Sequence, residues 1–185
     1  MRQIVKRDRM MAAVAAMLVA VGRAMAQNEE QAAPQRRIVI SIPDRKLALI
    51  EDGKVVKIYQ TAVGAPASPS PTGSFTVIQR IPNPTWYHAG KVVPPGKNNP
   101  VGSRWIGLSE KGYGIHGTNA PGSIGRNVSH GCIRMRNRDV EQLFELVKIG
   151  DVVELYGEAN DEIAKIFHPA PEPVLTAAAG GGGAE

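Results

Sequence analysis

Cys132 is the only cysteine in the 185-residue chain, and it stands in the run Ser129-His130-Gly131-Cys132-Ile133-Arg134-Met135. Upstream lies a second chemistry-bearing run, Ile115-His116-Gly117-Thr118-Asn119. A free thiol titrates at about 8.5, so attack near neutral pH calls for a base or a positive neighbour that raises the thiolate fraction. His116 and His130 titrate near neutrality, and Arg134 is permanently positive. That surrounding predicts an activated thiol that alkylates faster than an ordinary cysteine. If 129–135 is extended, period two puts His130, Cys132 and Arg134 on one face and turns Ile133 and Met135 to an apolar side. Gly131 permits close approach beside the nucleophile. Around His116, Tyr113 and Ile115 point away from the side of Gly112, Gly114 and His116, which predicts an open, glycine-lined floor.

Other chemistries fit less well. His116, His130 and Cys132 could ligate zinc only with His88 as the fourth ligand, and His88 falls in a Pro- and Gly-rich loop, so no metal or other cofactor is assigned. Gly122-Ser123-Ile124-Gly125 lacks the lysine and the strand–helix setting of a phosphate loop. Trp86 and Tyr87 suit either a lid or ordinary packing.

The net charge of +5 invites a nucleic-acid reading, but most of it sits in the first 26 residues. Arg2, Lys6, Arg7, Arg9 and Arg23 stand there against Asp8 alone, leaving a nearly neutral remainder with no electrostatic case for nucleic acid. The same stretch reads as a secretory signal peptide over 1–26. A basic start is followed by an apolar run from Met10 to Val21 and the small-residue site Ala24-Met25-Ala26. The run falls short of the about 20 apolar residues of a membrane span. A periplasmic protein with no membrane span after cleavage is therefore expected. In an oxidising compartment, a cysteine with no partner in its own chain is paired between chains, buried and inert, or kept for chemistry.

The elements that must position these residues are mostly strands. A short flexible lead is expected over 27–36 and a single domain over 37–156. Arg37–Ile42, Lys46–Glu51 and Lys54–Val63 read as strands, the last two joined at the hairpin signal Asp52-Gly53. A Pro/Ser/Gly loop over 64–73 precedes a strand at Ser74–Arg80, and 82–102 reads as an irregular loop long enough to be functional. Strands follow at Arg104–Leu108, Tyr113–Thr118 and Asp151–Tyr156. One helix stands out, capped by Asn137, with Val140, Leu143, Phe144 and Val147 on one stripe and Gly150 at its end. Residues 157–185, rich in Pro, Ala and Gly, are expected to be a disordered tail.

Taken in order, Pro71-Thr72-Gly73-Ser74-Phe75, Asn99-Pro100-Val101-Gly102, Arg104-Trp105-Ile106 and the two runs around His116 and Cys132 closely resemble the L,D-transpeptidase (YkuD-type) catalytic domain. The resemblance covers roughly 37–156. It implies a compact, β-sandwich-like domain with one clear helix near the active-site segment. It also implies the roles: Cys132 as nucleophile, His116 as base and then acid, the Gly117 backbone carbonyl orienting the imidazole, and backbone N–H groups at Gly131 and Cys132 facing the oxyanion. Arg134, His130 and Ser129 would lie against substrate. The reaction implied is attack on a peptidoglycan tetrapeptide stem, loss of D-Ala, and transfer from a thioester to an amine. That amine belongs to a neighbouring stem or to an outer-membrane lipoprotein lysine. Carbapenems are implied as inhibitors. An L,D-carboxypeptidase or other peptidoglycan hydrolase on the same site, or a non-catalytic wall-binding module, are the alternatives.

Overall fold

A computed structural model describes residues 35–170. The expected signal peptide and the last stretch of the tail lie outside the described residues. Twelve strands are described. β1 (Arg36–Ser41), β2 (Lys46–Glu51), β3 (Lys54–Gln60) and β4 (Val63–Gly64) come first. β5 (Gly73–Pro82), β6 (Trp86–His88), β7 (Lys91–Val93) and β8 (Arg104–Leu108) follow. β9 (Gly114–His116), β10 (Asn127–Ser129), β11 (Ile133–Arg134) and β12 (Val152–Tyr156) complete the set. Two helices, α1 (Asn137–Leu146) and α2 (Asp161–Phe167), join them. The fold is mostly β, as the sequence implies.

Eight strands form one sheet in the order β11-β9-β8-β5-β12-β1-β2-β3. β1 and β2 carry almost unbroken apolar runs because both faces of the sheet are covered there. Ile38, Ile40, Leu47 and Leu49 face the main core, where Val140, Leu143 and Phe144 of α1 pack. Val39, Ala48 and Ile50 face the other way, onto Ile163, Ile166 and Phe167 of α2. The Asp52-Gly53 hairpin has both central residues at positive φ (49° and 76°), the geometry of the tight turn its sequence signals.

Four expectations need correcting. The tail expected to be disordered from 157 instead forms α2, whose Asn160 side chain caps it by accepting from the Ile163 N–H. Its three apolar residues find a partner in the far face of β1 and β2, which a window of local composition cannot reveal. The return strand expected to run to Val63 ends at Gln60, and Val63–Gly64 crosses to pair with β10. The irregular segment 82–102 contains the β6–β7 hairpin, turned at Ala89-Gly90 with φ of 47° and 77°. Asn137 does not cap α1. The helix begins behind Arg136 without a side-chain cap, and the Asn137 Oδ1 accepts from the Ser103 and Thr118 N–H groups at 3.3 and 3.0 Å.

If α2 is an integral part of the core, Phe167→Ala is expected to cost roughly 3 kcal/mol, as for other buried aromatic truncations. Urea unfolding would read this as a lower midpoint, and an unchanged midpoint would reduce α2 to an ornament.

Candidate active site

β9 and β11 run parallel, with Ile133 opposite Ile115 and Arg134 opposite His116. Ile115, Ile133 and Met135 are buried in the core behind the sheet. His116, Cys132 and Arg134 line a cavity of about 530 Å³ on the front, His116 and Arg134 through alternation within two short strands and Cys132 from the residue just before β11. The crossover between the strands is held at β10, which pairs with β4. Beyond it Ala62 exchanges two backbone hydrogen bonds with Arg134, both of 2.9 Å.

The nucleophile segment is not one extended strand. It turns at Gly131, whose φ is +106° and where a Cβ would sit 2.5 Å from the Tyr113 ring and 3.1 Å from the Pro69 carbonyl. Ser129 closes this turn. Its hydroxyl accepts from the Gly131 N–H at 3.1 Å and donates to the Cys132 carbonyl at 2.6 Å. The Gly131 N–H thus donates within the turn. Ser129, buried and doubly bonded, shapes the loop and also lines the cavity. His130 is exposed and reaches the same cavity from the bend rather than by strand alternation.

The His116 Nδ1 lies 2.5 Å from the Gly117 carbonyl. A carbonyl only accepts, so Nδ1 carries the proton and Nε2 is left as the basic nitrogen. Burial pushes the imidazole down to about 4; the Gly117 carbonyl opposes this and the Arg134 charge adds to it. Burial likewise pushes the Cys132 thiol up, against the pull of the Gly114 backbone and of Arg134. The thiol itself lies 3.6 Å from the Gly112 carbonyl. The resting pair is therefore neutral, and the activated thiolate expected from the neighbouring charges is not what burial allows. Arg134 lies beside both groups, and no carboxylate pairs with it among the described residues.

Some residues that build the site were not legible as such. Asn99, fully buried, donates from Nδ2 to the carbonyls of Pro84, Val93 and Pro94 and accepts from the Val101 N–H. It thereby anchors the β6–β7 hairpin, whose Trp86, Tyr87 and His88 form one side of the cavity. The expected open floor beside His116 is occupied by the indole of Trp105. Among the described residues, no group of three or more His, Cys, Asp or Glu side chains converges as a metal site. No described helix is long and apolar enough to cross a membrane.

The sequence matches the L,D-transpeptidase catalytic domain family, YkuD, over residues 35–155. The chain belongs to this family. It is 43% identical over 119 residues to a Bacillus licheniformis protein that carries the name of an L,D-transpeptidase, YkuD, covering 64% of each chain. With Escherichia coli YcfS, named in the same way, it is 36% identical over 142 residues, covering 66% of this chain and 44% of that one. The matched part thus spans less than two thirds of these relatives. Among solved structures, an L,D-transpeptidase from Mycobacterium tuberculosis is similar at a TM-score of 0.58 and 25% identity, covering 67% of this chain and 58% of that one. L,D-transpeptidase 3 from the same organism, in complex with a faropenem-derived adduct, is similar at 0.56 and 26%, covering 68% and 61%.

A raised thiol pKa leaves less thiolate at neutral pH than in free cysteine. Cys132 is therefore expected to alkylate with iodoacetamide more slowly than free cysteine at pH 7. Its rate should still be climbing above the pH at which free cysteine levels off. Stopped-time mass spectrometry across pH checks this, and a rate exceeding free cysteine at pH 7 would restore the activated thiolate.

Proposed function

We propose that this chain is a periplasmic L,D-transpeptidase that acts on peptidoglycan stem peptides through a Cys132 thioester. The observation that carries the reading is the placement in one cavity of Cys132, of His116 with its Nε2 free, and of Arg134, whose guanidinium pairs with no carboxylate among the described residues. Family membership supplies the substrate class.

Chemistry starts from the neutral pair. Substrate covers the cavity and presents the carbonyl of the third stem residue to Sγ. As the S–C bond forms, the thiol proton passes to His116 Nε2, and charge appears only when the electrophile is there to receive it. The Gly117 carbonyl, holding the Nδ1–H, steadies the imidazolium in the manner of the third member of a triad. With the Gly131 N–H held by Ser129, the Cys132 N–H is the donor of the turn left to meet the oxyanion. The C–N bond then breaks, Nε2–H protonates the leaving D-Ala amine, and a thioester remains. An acceptor amine attacks next, gives its proton back through His116, and releases Cys132. Arg134 attracts a stem carboxylate by a charge-assisted hydrogen bond.

Incubation with purified tetrapeptide muropeptides, followed by mass spectrometry, tests this. Loss of D-Ala with formation of a cross-linked dimer is expected, and Cys132→Ala should fold and yield neither. A tripeptide without dimer would mean that water is the acceptor, and no change in any muropeptide would remove the reading. His116→Ala should cost about 10²–10⁴ in rate, the usual worth of general base catalysis, and His130→Ala much less. Equal losses would undo that division of labour.

The faropenem-derived adduct of the similar Mycobacterium tuberculosis L,D-transpeptidase 3 supports a further expectation. The strained amide of a carbapenem should acylate Cys132, so the intact protein gains the mass of one molecule. Cys132→Ser, a weaker nucleophile, should gain none in the same brief exposure. An unmodified wild-type mass after long incubation, in protein that still turns over muropeptides, would count against this alone.

A further inference from the structure

We infer that Trp105 is the positioning residue of the catalytic base. Its indole lies in a slot left by Gly107 and Gly114, fixes the plane of the His116 imidazole, and keeps water from that face of the ring. The inference rests on the transpeptidase reading above and deepens it.

The register of two strands creates the arrangement. On β8 and β9, Trp105 is directly opposite His116 and Gly107 directly opposite Gly114. Period two along each strand puts all four residues on the cavity face, and directly opposed side chains touch. The indole and imidazole rings lie nearly parallel, 19° apart, with centroids separated by 5.7 Å. The glycines leave the indole its room. A Cβ on Gly114 would sit 2.7 Å from the indole Cζ2 and 2.8 Å from Cη2, and one on Gly107 would sit 3.0 Å from Nε1. Separations under about 3 Å are not tolerated between such atoms, so a side chain at Gly114 would displace the indole.

The imidazole needs this second constraint. Its hydrogen bond from Nδ1 to Gly117 selects which nitrogen faces the cavity. A single in-plane contact nevertheless leaves the ring free to tilt about that bond, and a tilt carries Nε2 off line with Sγ. A parallel indole removes that freedom without adding a polar atom to compete for the proton. Trp105 brings no charge to the ring; the charged or titratable groups around the imidazole are Arg134 and Cys132, with Tyr87, His88 and His130 on the cavity wall. An aromatic face attracts a cation, which would favour imidazolium, but at 5.7 Å the contact is close to the outer limit of about 6 Å for that effect. Exclusion of water therefore outweighs it, in keeping with burial as the leading cause of the low His116 pKa.

The test uses the full chain with Trp105→Leu and Trp105→Phe and two independent readouts. The first is the pH profile of Cys132 acylation by imipenem, followed by intact mass. The second is the titration and tautomer of His116 in protein labelled with ¹⁵N-histidine. Trp105→Leu should acylate roughly 10–100-fold more slowly, the scale of loss for a misplaced catalytic group. Its acid limb should move to higher pH, and its His116 should titrate above the wild-type value. Trp105→Phe, which keeps a stacked ring, should lie between. Wild-type rate and titration in Trp105→Leu would overturn the inference. So would a slower rate with His116 titration unmoved, since that is the signature of a mere cavity wall. If Trp105→Leu fails to fold by circular dichroism, Trp105→Phe decides by the same two measurements. Should wild-type protein neither acylate nor act on muropeptides, the transpeptidase reading fails, while the titrations still decide what Trp105 does to His116.

Discussion

The parallel pairing of β9 with β11 is the constraint on which the site depends. One strand carries His116 and the other follows directly on Cys132, and their register sets which residues face the cavity. A slip of one residue would turn every side chain of β11 over, sending Arg134 into the core and Ile133 into the cavity. Three features prevent it. Ile115, Ile133 and Met135 are locked in the core behind the sheet. The Met135 N–H donates to the His116 carbonyl at 2.8 Å, and Ala62 brackets Arg134 from the opposite side. Parallel strands require a long connection. Here the connection holds no α-helix but a single 3₁₀ turn at Pro121–Ser123 and a loop pinned by β10 against β4.

Burial both assembles the site and restrains it. The contacts that fix His116 also remove it from water, which pushes its pKa down and that of Cys132 up. A standing thiolate–imidazolium pair would cost desolvation of two ions. A neutral pair avoids that cost. The permanent charge of Arg134 lies beside both groups, and among the described residues no carboxylate pairs with it.

Side-chain amides and hydroxyls bonded to backbone tie the surrounding loops to this frame. Ser129 closes the turn at Gly131, Asn99 gathers the carbonyls beneath the β6–β7 hairpin, and Asn137 joins the start of α1 to the segments just before β8 and just after β9. Loop backbone packed near a core needs such partners, because an unpaired buried N–H or C=O costs more than a hydrogen bond returns. At Gly102 and Gly117 a Cβ would collide with the Asn137 amide oxygen, so the clamp works only where these two residues lack side chains.

The sequence by itself determined what is local or chemical. Strand alternation, the Asp52-Gly53 turn and the apolar stripe of α1 follow from backbone geometry and residue type. Cys132, His116 and Arg134 stand out because few side chains can serve as nucleophile, base and fixed cation. Whatever depends on partners distant in the chain was decided by tertiary structure. Ile163, Ile166 and Phe167 read as part of a low-complexity tail until the far face of β1 and β2 is present to cover them. Asn137 reads as a cap until two N–H groups from other segments compete for its oxygen. Gly114 reads as open floor because period two says which side a residue faces but not what fills the space above it. The protonation state of the pair was illegible for the same reason: desolvation is a property of everything packed around a group, and no neighbour in sequence reports it.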